Sequence, residues 1–397
     1  VYLFPPGRIL FFQNADREEI TMKRILPLLC LFALALCVSA HAAPEVAAPS
    51  AVLMEKTTGA VLYAKDEHAP REPASITKIM TLLLTMEAID SGALRYDDVV
   101  TASAHAASMG GSQIWLREGE QMTVDDLLKA VCVVSGNDAA VALGEHLAGS
   151  EGAFVERMNA RAAELGMADT HFVNACGLSA EGHVSSAHDV ALMSRELILK
   201  HPDVRRYTTL WTDSLRDGAS MLVNTNKLIR FYDGATGLKT GSTDAAGYCL
   251  SATAERDGME LIAVVMRART GDERLADARA LLDYGFAAYT LVDVHPDEAL
   301  APLPVTLGER GAVQPVLTED NTLLLERSAA SALQTEVVLP GRVDAPVAAG
   351  DRLGELRVTD ADGGAIASLP ILAGESVARV TWEQMFRRLL RIGFCAE

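Results

Sequence analysis

Three short segments of this chain occur in a fixed order: Ser75-Ile76-Thr77-Lys78, Ser135-Gly136-Asn137 and Lys239-Thr240-Gly241. They lie far apart in the polymer, yet their side chains make chemical sense only as a group. Any fold for this sequence must therefore bring a helix start, a loop and a strand to one cleft. Ser75 and Lys78 stand three residues apart, which on a helix puts them on one face. A serine hydroxyl is a poor nucleophile without an adjacent base. Lysine becomes that base when desolvation or a neighbouring positive charge lowers its pKa, and Lys239 is expected to supply the charge. A helix start at Ser75 also directs backbone N–H groups and the positive dipole end at a developing oxyanion. Ser135 is placed as a proton relay, and Asn137 as an amide that holds a substrate carbonyl. Strand alternation turns Lys239 and Gly241 to the same face. There Lys239 attracts a substrate carboxylate, Thr240 hydrogen-bonds it, and Gly241 lets a substrate backbone approach as an added strand. Ser242 is the candidate for a further oxyanion N–H. This equipment opens an amide or lactam through a covalent serine ester. S-x-x-K or S-x-N alone says little; the ordered set of three says much more.

The pattern around the motifs alternates between strand and helix. Ala51–Glu55 and Ala60–Ala64 read as strands joined by a turn at Thr57-Thr58-Gly59. Ile76–Ile89 reads as a buried helix that stops near Ser91-Gly92. From Val124 to about Leu199 the pattern is helical, broken at Ser135-Gly136 and Gly149. Tyr248–Ala254 and Met259–Arg267 read as strands around an Arg256-Asp257-Gly258 turn, followed by a helix over Glu273–Tyr289. This order predicts an α+β domain with helices beside an antiparallel sheet. From Leu291 the texture changes: prolines at 296, 302, 304 and 315 punctuate short apolar runs such as Val313–Leu317 and Thr322–Glu326, which predicts a small all-β module through about Leu372. Residues 376–397 are expected to form an amphipathic helix. Trp382, Met385, Phe386, Leu389, Leu390 and Ile392 gather on one side, with Gln384, Arg387, Arg388 and Arg391 on the other, a pattern suited to a membrane interface. The expected division is thus 1–42, 43–290, 291–375 and 376–397.

Residues 1–42 carry an export address. Met22-Lys23-Arg24 is a positive start, Ile25–Val38 is apolar, and Ala40-His41-Ala42 is a small-residue cleavage site, so the mature chain is expected to begin at Ala43. Residues 1–21 lack signal character, and Met22 is the expected translation start. Cys37 invites a lipoprotein reading, but the residues after it suit ordinary cleavage better. Cys132, Cys176, Cys249 and Cys395 remain, widely spaced and without a C-x-x-C pair; buried single thiols are expected rather than a disulfide. The nine histidines form no H-E-x-x-H pair, and no metal or organic cofactor is expected. A net charge of −18 excludes a nucleic-acid partner, which needs a concentrated cationic face. No G-x-S-x-G elbow occurs, so the usual α/β-hydrolase signature is missing.

Around the three motifs the text reads Pro73-Ala74-Ser75-Ile76-Thr77-Lys78-Ile79-Met80-Thr81, Val134-Ser135-Gly136-Asn137-Asp138-Ala139 and Gly237-Leu238-Lys239-Thr240-Gly241-Ser242-Thr243. With Thr170-His171-Phe172, Ser185-Ser186-Ala187-His188-Asp189 and Leu281–Phe286, this resembles the low-molecular-mass penicillin-binding proteins that act as D-alanyl-D-alanine carboxypeptidases. The resemblance spans about Ala51–Tyr289, with the family's β domain and C-terminal amphipathic anchor recognisable behind it. It implies a β-lactamase/transpeptidase-like catalytic domain and, as substrate, a peptidoglycan stem peptide ending in D-Ala-D-Ala. It also implies acylation of Ser75, with Lys78 as base, Ser135 as relay and Lys239 with Thr240 at the carboxylate. β-Lactam antibiotics would acylate the same serine. The enzyme would then work at the outer face of the cytoplasmic membrane. One departure stands in Asn174-Ala175-Cys176-Gly177-Leu178, where family members usually carry Pro and then His or Thr at the positions of Ala175 and Cys176.

Three other readings share the motifs. A class A β-lactamase would need a Glu-x-x-Leu-Asn loop, which is missing between the second and third motifs. A peptidoglycan endopeptidase or transpeptidase uses the same residues. A β-lactam sensor that acylates without turnover would also keep them.

Overall fold

The computed structural model describes residues 43–318 and 321–394. The expected signal segment and Cys395 lie outside the described residues. In chain order the first part comprises β1 (Ser50–Glu55), β2 (Val61–Lys65), α1 (Lys78–Asp90), β3 (Val99–Thr101), β4 (Gln121–Thr123), α2 (Val124–Val133), α3 (Asn137–Ala148), α4 (Glu151–Glu164), α5 (Ala187–Lys200), β5 (Thr212–Leu215), β6 (Ser220–Val223), β7 (Ala235–Thr243), β8 (Gly247–Arg256), β9 (Met259–Ala268) and α6 (Gly271–Ala288).

β1, β2, β7, β8 and β9 form one antiparallel sheet in the order β2-β1-β9-β8-β7. The apolar run of β9 buries both faces by simple alternation. Leu261, Ala263 and Val265 pack with Leu281, Leu282 and Phe286 of α6. Ile262, Val264 and Met266 face the other way, into the larger core with Val52, Met54, Met80 and Leu83. The sheet thus lies between one helix and a helical cluster, the α+β arrangement expected from the element order. α1 is apolar nearly all round and runs buried through that cluster, with Ile79, Met80, Leu82, Leu83 and Met86 inaccessible. Side-chain caps fix the helix starts: Thr123 for α2, Ser150 for α4, Ser186 for α5 and Thr270 for α6.

The helical reading of 124–199 fails over residues 165–186. Gly166, Gly177 and Gly182 there adopt positive φ. The Asn174 side chain also takes the backbone N–H groups of Cys176, Gly177 and Leu178. Such local bonds compete with a helical ladder.

The C-terminal part is all-β, with Pro315–Leu317, Ala365–Ala373, Arg352–Thr359 and Gln334–Val338 side by side in one sheet. The last helix, α7, spans Trp382–Phe394 and starts later than 376, because the chain before it belongs to the β part. Val377 is buried and exchanges backbone hydrogen bonds with Val347, and Val380 N–H donates to Leu307 O. Among the described residues no helix is long and apolar enough to cross a membrane.

Candidate functional site

Ser75 lies in a 3-10 turn, Ala74–Thr77, that feeds α1. Ala74 takes φ +48. Gly177, at φ +86, presses against this turn, and a Cβ there would fall 1.8 Å from Ala74 O, so no side chain fits. On the other side, a Cβ on Gly241 would come 2.9 Å from Ser75 N and 3.0 Å from Ile76 N. The Ser75 turn is thus clasped between a loop and the edge strand β7.

Lys78 Nζ is buried and donates to Ser75 Oγ at 2.9 Å, Asn137 Oδ1 at 2.6 Å and Cys176 O at 2.7 Å. These three acceptors match the three donors of an ammonium. A neutral amine keeps two of them and turns its lone pair to Ser75. Burial pulls the Lys78 pKa down to about 8, opposed by the charges of Cys176 and Asp138. The expected lowering by Lys239 is not among the causes. Lys239's own pKa is held well below the ordinary lysine range, by burial first and the charge of Lys78 second.

The other motif residues gather around this pair. Ser135 takes φ +63, and among the described residues its buried Oγ has no hydrogen-bond partner. It stands just before α3, where a serine would ordinarily cap the helix, yet the cap position is Gly136 and no side chain caps it. Asn137 bridges two walls, accepting from Lys78 at Oδ1 and donating from Nδ2 to Gly110 O at 2.6 Å. Lys239 is buried and donates to Thr240 O at 3.0 Å. Thr240 Oγ1 shares a hydrogen bond with Thr225 Oγ1 at 2.7 Å. Gly241 faces the Ser75 turn, and Ser242 follows at the exposed end of β7. Among the described residues no group of three or more His, Cys, Asp or Glu side chains is arranged to hold a metal ion. Cys132, Cys176 and Cys249 are buried free thiols.

Four participants escape sequence reasoning. Cys176 enters through its carbonyl, so the unusual residue types at 175 and 176 leave the Lys78 contact intact. Ala175 likewise acts by its carbonyl, accepting from Thr81 Oγ1 at 2.6 Å. Thr225 comes from the segment after β6. Arg274, from α6, donates Nη1 to Gly241 O at 3.3 Å and Cys249 O at 3.1 Å, placing a guanidinium behind the third motif. Asp138, next to Asn137 in the second motif, is a further neighbour. It is buried, and accepts N–H bonds from Ile114, Leu116 and Ala139.

Residues 37–270 match the Peptidase S11 family, described as D-alanyl-D-alanine carboxypeptidase, and residues 290–379 match the penicillin-binding protein 5 C-terminal domain. The chain is 42% identical over 351 residues to the D-alanyl-D-alanine carboxypeptidase DacF of Bacillus subtilis, covering 86% of this chain and 89% of that one. It superposes on penicillin-binding protein 5 from Haemophilus influenzae with a TM-score of 0.75 at 30% identity, over 85% of this chain and 99% of the other. Penicillin-binding protein D2 from Listeria monocytogenes, solved in an ampicillin-bound form, superposes with a TM-score of 0.56 at 35% identity, over 61% of this chain and 100% of its own.

Proposed function

Since the chain belongs to the Peptidase S11 family of D-alanyl-D-alanine carboxypeptidases, we propose that it removes the terminal D-alanine from peptidoglycan stem peptides through an ester on Ser75. The observation that carries this is the 2.9 Å contact between Lys78 Nζ and Ser75 Oγ, made by a lysine that burial keeps partly neutral near pH 8. Neutral Lys78 takes the Ser75 proton as Oγ attacks the carbonyl of the penultimate D-alanine. The carbonyl oxygen becomes an oxyanion, for which Ser75 N–H and Ser242 N–H are the donors. Ser135, its hydroxyl uncommitted, passes a proton to the departing amine. The C–N bond breaks, D-alanine leaves, and water, deprotonated by the same lysine, hydrolyses the ester. Lys239 and Thr240 hold the terminal carboxylate, Asn137 the substrate amide, and Gly241 keeps the edge of β7 open for the peptide backbone. A β-lactam would enter as a mimic of the same peptide, as the ampicillin-bound relative suggests.

Residues 43–290 would form the catalytic domain and the chain from 291 a β-rich domain. We read 22–42 as an export signal, preceded by an upstream segment, and α7 as a peripheral anchor at the outer face of the cytoplasmic membrane. Trp382, Phe386, Leu389 and Leu390 are exposed on α7, an apolar stripe without a protein partner among the described residues. The test is release of D-alanine from a pentapeptide substrate by the purified protein. Ser75→Ala should abolish both release and the penicillin adduct; release at the original rate in that variant would remove the mechanism.

A further inference from the structure

The segment Gly110–Leu116 lies along the second motif, because Asn137 N–H donates to Ser112 O at 2.7 Å and Asn137 Nδ2 to Gly110 O at 2.6 Å. Farther along, the Asp138 carboxylate anchors the N–H groups of Ile114, at 3.1 Å, and Leu116, at 3.0 Å. Trp115 stands between these two pinned amides at φ +61, a costly backbone conformation for a bulky residue. It turns the indole away from the core, and Trp115 is 74% exposed. Arg216, at the tip between β5 and β6, secures the outer side. Its Nη1 donates to Ile114 O at 2.9 Å and Ser220 Oγ at 3.1 Å, and its Nε to Glu120 at 2.8 Å. The result is an open basin of about 570 Å³ beside the catalytic cleft, lined by Trp115, Arg117, Glu118, Glu120, Arg216 and Ser220.

We propose that this basin is a saccharide subsite, in which a sugar ring of the glycan strand rests on Trp115 while its stem peptide occupies the cleft at Ser75. The inference rests on the peptidoglycan reading above. An exposed, rigid indole offers a flat apolar surface to the C–H face of a pyranose, and the surrounding planar polar groups meet hydroxyl and acetamido substituents. Arg216 Nη2 and the Glu118 carboxylate have no hydrogen-bond partner among the described residues, so a donor and an acceptor stand ready. The two arginines and two glutamates of the lining cancel in charge. That balance suits a neutral polyol and gives no preference to the ammonium of a basic stem residue, which would want a net acidic pocket. Reach agrees as well. An extended peptide advances about 3.4 Å per residue, so the sugar end of a stem lies outside the catalytic cleft, over an outer wall.

The experiment compares kcat/KM for D-alanine release from a disaccharide pentapeptide, a sugar-free pentapeptide and a short N-acylated D-Ala-D-Ala peptide, using the full chain. In Trp115→Ala the ratio of the disaccharide value to the sugar-free values should fall about tenfold, mainly through KM, the loss expected for one aromatic contact. Trp115→Phe, which keeps a ring, should restore most of it. Equal losses on all three substrates would overturn the subsite, since the residue would then be supporting the cleft wall. A ratio unchanged from that of the unsubstituted enzyme would overturn it too, as would a loss shared by both pentapeptides. If the unsubstituted enzyme released no D-alanine from any of the three, the carboxypeptidase reading itself would fall, and the subsite with it.

Discussion

Acylation of Ser75 should track the proton on Lys78. With its pKa pulled from 10.5 to about 8, the amine is neutral in about one molecule in ten at pH 7; at the unshifted value the fraction would be about one in three thousand. Burial thus raises the active fraction about 300-fold, equivalent to about 3 kcal/mol. The sign follows from the charge. Lysine is a base only when deprotonated, so the acylation rate climbs about tenfold per pH unit below the Lys78 pKa and levels off above it. The assay is the second-order rate of adduct formation with a fluorescent penicillin between about pH 5.5 and 9. Asn137→Asp sharpens the test. It would put a carboxylate where Oδ1 now lies 2.6 Å from Nζ. At an effective dielectric constant of about 20, that contact is worth about 6 kcal/mol in favour of the ammonium. A third of that figure moves the limb upward by more than about one pH unit and lowers the neutral fraction at pH 7 at least about tenfold. A rate flat between pH 6 and 8 in the unsubstituted protein would refute Lys78 as the base. So would a limb at the same pH in Asn137→Asp.

Gly241→Ala should damage both fold and activity. The three atoms nearest its Cβ would be main-chain ones, Ser75 N, Ile76 N and Pro73 O, at 2.9–3.0 Å, so β7 must back away at a cost of about 1–3 kcal/mol. A melting temperature and acylation rate equal to those of the parent would contradict the clasp. Removing the chain after Val380 leaves the Val347–Val377 pairing in place and deletes α7. The shortened protein should leave the membrane fraction and keep its turnover, and sedimentation with membranes as before would count against the anchor.

Side-chain chemistry with short spacing was the legible part of this molecule. Ser75 and Lys78 meet as their separation on a helix start requires, and the strands flanking Gly59 and Asp257-Gly258 follow from period and turn residues. Backbone participation was not legible. The carbonyl of Cys176 is present at every residue type, and only the path of the loop brings it to Lys78. The loop was passed over although Gly166, Gly177 and Gly182 punctuate residues 165–186, because the bonds that divert the chain, chief among them those to the Asn174 side chain, depend on its folded path. The hairpin of β5 and β6 escaped because its exposed Met221 and Val223 do not show a core-facing alternation. Lys239 was given an electrostatic task on Lys78 that burial performs instead. The start of α7 was set too early because Val377 reads equally well as the first apolar position of a helix or as a strand residue.

A main-chain oxygen has no codon of its own. The grip of residue 176 on the Lys78 amine therefore survives any replacement of that side chain compatible with the local trace, which leaves position 176 free to vary while the amine stays where it is. Selection would bear instead on Asn174, which shapes the bend, and on Gly177, where even one added methyl group collides with Ala74. Escape from a covalent antibiotic by loosening this hold would have to pass through those two positions, and there it would injure turnover of the natural peptide as well.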